Sequence, residues 1–178
     1  MIKIFITGPP GIGKTTCVSK IYETLSVYGY KVVGFISKEI REEGKRVGFE
    51  IISLSDGQRE ILAHVKLKEG PRVGKYIVNK NKFDEFLDTI IDDIHYADVY
   101  IVDEIGPMEL TSSKFLRLVD KILNNKTPSL MTIHITISKE IHKRFKTKYP
   151  NVLYRLTKEN RDAMPLIIWK ELNKYIGK

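Results

Sequence analysis

Gly8-Pro9-Pro10-Gly11-Ile12-Gly13-Lys14-Thr15 narrows what this chain can fold into more than any other segment. It matches the phosphate-cradling pattern G-x-x-x-x-G-K-[ST] at every fixed position, between an apolar run, Ile2 to Thr7, and a stretch with helical spacing. Glycines at 8, 11 and 13 allow backbone conformations closed to other residues, so that successive N–H groups can turn inward around a polyphosphate. The helix opening near Lys14 adds its positive end to the same anion site, where Thr16 also lies. Lys14 is expected to reach the β- and γ-phosphates. The Thr15 hydroxyl is expected to ligate Mg²⁺, a hard cation that takes oxygen ligands.

The chain alternates apolar runs with amphipathic stretches. Val18, Ile21, Tyr22, Leu25 and Tyr28 recur at helical spacing, Gly29 closes that helix, and Val32 to Ser37 is a second strand. From Glu39 to Lys82 the pattern changes to glycine, charge and period-two alternation around Ser55-Asp56-Gly57, a turn signal. Val47–Ile51 and Ile61–Leu67 read as the arms of a hairpin, and Lys75–Val78 as a further strand. Phe83 to Ile94 predicts a helix, Asp98 to Asp103 a strand, Phe115 to Leu123 a helix and Ser129 to Ile135 a strand. Ile141, His142 and Phe145 predict a short helix, Val152 to Leu156 the last core strand, and Asn160 to Tyr175 a closing helix. The expected fold is α/β and three-layered, a mostly parallel sheet with a β-hairpin insertion at residues 39–82, and the 178 residues form one domain.

Asp103-Glu104 follows a buried strand and supplies the acidic half of such a site. Asp103 is expected to hold Mg²⁺ with Thr15, and Glu104 to orient and deprotonate a water attacking the γ-phosphorus. Thr132 and His134, closing a later strand, are candidate sensors of that phosphate. Arg41 and Arg46, beside Gly44 and Gly48, are candidate cations that a mobile loop would carry over the nucleotide. The base is expected near Asn160 and Arg161. His64, His95 and His142 share no metal-ligand spacing.

A net charge of +8 admits a nucleic-acid partner, but the lysines are spread along the chain and do not gather in one block. A lone cysteine, Cys17, no leader and no apolar run of about 20 residues point to a cytoplasmic protein with no membrane association.

These segments resemble the small P-loop nucleoside-triphosphatases of thermophilic bacteria and archaea, related to the human cancer-related nucleoside-triphosphatase. The likeness rests on Gly8 to Thr16; on Arg41, Glu43, Gly44, Arg46, Gly48, Phe49 and Ile51; on Val73, Gly74, Tyr76 and Val78; on Asp103-Glu104-Ile105-Gly106-Pro107-Met108-Glu109-Leu110; and on Asn160-Arg161-Asp162. It implies a RecA-like core, slow Mg²⁺-dependent hydrolysis of ATP, GTP and other nucleoside triphosphates with loose base choice, and a nucleotide site lined by Asp103 to Leu110, Ile105 and Gly106 included. Two other readings stay open. A nucleotide or nucleoside kinase would need a second-substrate pocket, for which residues 39–82 are the only material. A nucleic-acid-linked ATPase would use the positive charge.

Overall fold

Every residue of Lys3–Gly8 is buried, as an apolar run ending in glycine predicts for a strand covered on both faces. This strand, β1, is followed by α1 (Lys14–Val27), β2 (Val32–Glu42), β3 (Lys45–Ser53), β4 (Arg59–His64), β5 (Arg72–Val73) and β6 (Tyr76–Val78). After these come α2 (Lys80–Asp93), β7 (Val99–Ile105), α3 (Ser113–Asn124), β8 (Ser129–His134), β9 (Asn151–Arg155) and α4 (Met164–Asn173). The computed structural model describes residues 1–137 and 147–177. The short helix expected around Ile141, His142 and Phe145 lies outside the described residues.

All nine strands form one sheet in the order β5-β6-β4-β3-β2-β7-β8-β1-β9. Pairing is parallel from β2 through β7, β8 and β1 to β9, and antiparallel from β2 outward through β3, β4, β6 and β5. The architecture is the expected three-layer α/β fold, a mixed sheet between helices, with the β-rich segment extending its edge. Alternate residues of the central strands feed opposite faces. Phe5, Val33, Phe35, Tyr100, Val102 and Met131 meet Phe83, Phe86 and Leu87 of α2 and Phe115 and Leu118 of α3. Ile4, Ile6, Val32, Val99, Ile101 and Leu130 meet Val18 and Ile21 of α1 and Ile168 and Leu172 of α4. Cys17 belongs to the second face, where burial pushes its thiol up to about 12.

Several boundaries differ from the sequence reading, and three bear on the site. β2 does not stop at Ser37; it runs on to Glu42 and turns through Glu43-Gly44 into β3, so one strand belongs to both the parallel core and the insertion. β4 ends at His64 rather than Leu67. α4 starts at Met164 with Pro165 in its first turn, where a missing N–H costs no helical bond. Ahead of it, Asn160 is spent on a turn, accepting from the Thr157 N–H at 2.8 Å and donating to the Arg155 carbonyl at 2.9 Å.

Lys3, inside β1, is fully buried, which no local pattern in the sequence marks. Its Nζ donates to the carbonyls of Ile122, Asn125 and Thr127 at 2.7, 2.9 and 2.7 Å, so three ammonium donors close the C-terminal end of α3 and the turn into β8. Burial lowers its pKa to about 8. Replacing Lys3 with Met keeps the volume and takes a donor from three carbonyls, of which only that of Ile122 keeps another, the Asn125 N–H. The expected loss is about 2–4 kcal/mol in denaturant unfolding; a loss below about 0.5 kcal/mol would show that these bonds do not hold α3.

Candidate functional site

The loop between β1 and α1 takes its shape from its glycines, though not all for one reason. Gly11 (φ 73°) and Gly13 (φ 109°) occupy the left-handed region. Gly8 is needed for close approach, because a Cβ there would stand 2.9 Å from the Leu156 carbonyl oxygen. Gly13 is the residue before the first turn of α1 and makes no side-chain cap, and no acidic residue sits in that turn. Gly11, Gly13, Lys14, Thr15 and Thr16 therefore line a cavity with an uncapped helix N-terminus, an arrangement suited to anions. That cavity has a volume of about 640 Å³.

Asp103 and Glu104 lie inside β7, not at its end as the sequence reading had them. The β7–β8 register breaks between Val102 and Ile105, which lets the two carboxylates leave the regular ladder together. Asp103 is 1% exposed. Its Oδ2 accepts from the Thr15 hydroxyl at 2.6 Å and its Oδ1 from the Thr132 hydroxyl at 2.5 Å. Burial raises its pKa, against the two hydroxyls, the Lys14 charge and the Ser37 backbone N–H. Thr132 is itself fully buried, so its hydroxyl buttresses Asp103 and lies behind the cavity wall. Thr15 and Asp103 place two hard oxygen donors side by side at the first turn of α1, a donor set that fits Mg²⁺.

Glu104 faces the loop. Its Oε2 is 3.8 Å from Lys14 Nζ, which also donates to the Gly8 carbonyl at 3.2 Å. Burial pushes the Glu104 carboxyl up to about 7, with Lys14 pulling it down and Asp103 adding to the rise. His134 lines the same wall. Burial and then the Lys14 charge lower its pKa, favouring the neutral ring, and its Nδ1 is 2.8 Å from the Thr136 hydroxyl.

Two residues were not singled out by chemistry in the sequence. Ser37 touches Asp103 through its backbone. Glu109 lines the cavity with its carboxyl buried and pushed well above the usual range, first by burial and then by Glu104 and Asp103. A Cβ on Gly106 would stand 2.8 Å from Glu109 Oε2 and 3.2 Å from Glu104 Oε1, so the glycine makes room for both acids. Gly106 and the core residue Ile105 thus support the wall that Glu104, Pro107, Met108 and Glu109 present.

Arg41 and Arg46 reach the cavity, but from adjoining strands of the sheet and not from a free loop. Both bind Glu39: Arg41 at 2.6 Å to Oε2 and Arg46 at 2.8 Å to Oε1. Arg41 also donates to the Gly44 carbonyl, and Arg46 to the Tyr76 hydroxyl at 2.9 Å. Asn160 and Arg161 do not line the cavity; Asn160 serves its turn, and Arg161 is exposed beside Asp162 at 3.9 Å.

The fold and this loop define a P-loop protein of the α/β class. The family described as NTPase matches residues 3–169, and the chain belongs to it. It is 45% identical over 167 residues to the nucleoside-triphosphatase THEP1 of Methanocaldococcus jannaschii, covering 92% of each chain. With THEP1 of Thermofilum pendens it shares 41% over 175 residues, 97% of this chain and 96% of that one. The crystal structure of THEP1 from Aquifex aeolicus superposes with a TM-score of 0.83 at 37% identity, covering 96% and 98% of the two chains. The solution structure of a human cancer-related nucleoside triphosphatase gives 0.78 at 32% identity, with 98% of each covered. Among the described residues no helix is long and apolar enough to cross a membrane.

The Glu109 carboxyl gives a pH-dependent stability. Below about pH 4.5 it is protonated folded or unfolded; above that, the unfolded chain ionises while the folded one keeps its proton, so stability falls as pH rises. Glu109→Gln should remove one such proton, and its stability relative to the parent should gain by about 1.4 kcal/mol per pH unit above pH 5 until the folded carboxyl ionises. A parallel pair of stability-against-pH curves would show that Glu109 is not held neutral.

Proposed function

We propose that the chain hydrolyses nucleoside triphosphates to diphosphate and phosphate, with Glu104 as the base that activates water. The observation that carries this is the placement of Glu104 across the cavity from the loop, 3.8 Å from Lys14, with its carboxyl lifted to about 7. A carboxylate in that range is matched to general-base work near neutral pH.

In this reading the amides of Gly11 to Thr16 and the start of α1 grip the phosphates. Lys14 leaves the Gly8 carbonyl for the β–γ region and neutralises charge growing on the leaving oxygen. Thr15 and Asp103 would hold Mg²⁺, which would supply positive charge to the phosphate oxygens. Thr132 and the Ser37 amide keep Asp103 in place and ionised. Glu104 takes a proton from the water, and His134, on the same wall, offers a neutral ring as a hydrogen-bond partner to the γ-phosphate.

Two properties follow from the same contacts. The loop and Glu104 address phosphate and water, so ATP, GTP and other triphosphates should be accepted alike. Turnover should be slow, because both cavity arginines are tied to Glu39 rather than free to meet the transferring phosphoryl group. The cytoplasm is the proposed setting.

Glu104→Gln should lower phosphate release by about 10²–10⁴-fold while triphosphate affinity stays within about threefold. In the parent, kcat/KM should rise with pH through about 7 as Glu104 loses its proton, and the variant should lack that rise. Phosphate assays across pH 5.5–9 with tracer binding in parallel read both. Turnover by Glu104→Gln near the parent's rate would remove Glu104 from the mechanism.

A further inference from the structure

The strand β8 ends at His134, which the parallel register sets abreast of Gly8 at the start of the phosphate loop. The chain then turns, with the Ile137 N–H donating to the His134 carbonyl at 3.1 Å, and Thr136 comes back onto the imidazole. Thr136 meets the ring twice at one atom. Its hydroxyl is 2.8 Å from Nδ1, and its backbone N–H donates to the same nitrogen at 3.4 Å. Nε2, across the ring, has no partner among the described residues and is the nitrogen left to the cavity, which the ring lines together with Lys14 and Glu104.

A backbone N–H can only donate, so Nδ1 is an acceptor and the Thr136 hydroxyl turns its hydrogen toward it as well. In a neutral imidazole one nitrogen carries the proton and the other the lone pair, and the bond made by one decides the state of the other. The proton therefore sits on Nε2. The ring is also kept neutral: burial and then the Lys14 charge lower its pKa, and a second proton on Nδ1 would point at the Thr136 N–H. The two tautomers would treat a phosphate in opposite ways. A lone pair on Nε2 would face the phosphate oxygens and repel them, whereas an N–H there donates to them.

We propose that Thr136 is a positioning residue that fixes His134 as a hydrogen-bond donor through Nε2, and that this donor lets the site tell a nucleoside triphosphate from its diphosphate product. The loop amides and Lys14 address phosphates that both nucleotides carry. Only the triphosphate brings the γ-oxygens that a donor at the end of β8 can meet. The same tautomer leaves proton abstraction to Glu104, because the cavity-facing nitrogen of His134 has no lone pair to receive a proton. The inference rests on the loop holding the phosphates.

The test labels the histidines of the full chain with ¹⁵N, identifies the His134 resonances by their loss in His134→Gln, and measures binding of a nucleoside diphosphate and of a non-hydrolysable triphosphate analogue, each with Mg²⁺. The parent should show a protonated Nε2 and a bare Nδ1, and the analogue should shift Nε2 further than the diphosphate does. Thr136→Val should mix the tautomers and weaken the analogue about three- to tenfold, while diphosphate affinity stays within about twofold. Thr136→Ser, which keeps the hydroxyl, should hold both readouts at the parent's level. If Thr136→Val fails to fold, Thr136→Ala removes the same hydroxyl and should give the same pair of changes. A proton on Nδ1 in the parent, an unchanged tautomer in the folded variant, or an equal loss of both nucleotides would overturn the role of Thr136. A parent that binds neither nucleotide would instead overturn the assignment of the loop.

Discussion

The site is organised by one buried carboxylate. Asp103 ties three elements that are far apart in sequence: Thr15 on α1, Thr132 on β8 and the Ser37 backbone on β2 all donate to it. A carboxylate this deep would ordinarily neutralise, and burial does push its pKa up. The three donors and the nearby Lys14 charge work against that, so the group depends on every partner being in place. The dependence is mutual. Without Asp103 two hydroxyls and an amide would face one another inside the sheet with no acceptor.

That anchoring also sets the charge pattern around the phosphate loop. Asp103, Glu104 and Glu109 line one cavity, with Lys14 beside Glu104. Like charges so close cannot all ionise cheaply, and the environments separate them. Asp103 has the hydrogen bonds that favour a charge. Glu109 is buried with no ion pair among the described residues, and burial holds its carboxyl well above the usual range. Glu104 lies between, partly exposed and beside Lys14, and so can exchange a proton near neutrality. The three proton affinities are set by surroundings, since the side chains differ by a single methylene at most.

What could be read in the sequence was whatever depends on spacing along the chain. The phosphate loop, the Asp-Gly hairpin and the apolar faces of α2 and α3 are local patterns, and each appears where its pattern predicts. Asp103-Glu104 was legible as a pair, but its position inside β7 was not, because a register break carries no compositional signal. Lys3 and Thr132 act through partners more than 25 residues away, and nothing near them in sequence marks either as buried. Glu109 could have been suspected: an acid between Met108 and Leu110, just after a glycine-proline turn, sits in an apolar setting. Asn160 was expected near the base, and its side chain closes a turn, a use that a short polar side chain often takes.

The continuity of β2 bears on how the two ends of the cavity communicate. In the sequence, Glu39 to Lys82 looked like an insertion whose arginines a loose loop might carry. In the structure Val32–Glu42 is a single strand: its first half pairs in parallel with β7 and its second half antiparallel with β3. Ser37, the contact to Asp103, and Glu39, the anchor of Arg41 and Arg46, are two residues apart on it. Ser37 meets Asp103 through its backbone and Glu39 holds the arginines through its side chain, so both contacts are made from one strand. The positions of Arg41 and Arg46 relative to the loop are set by the sheet, and both are held by Glu39.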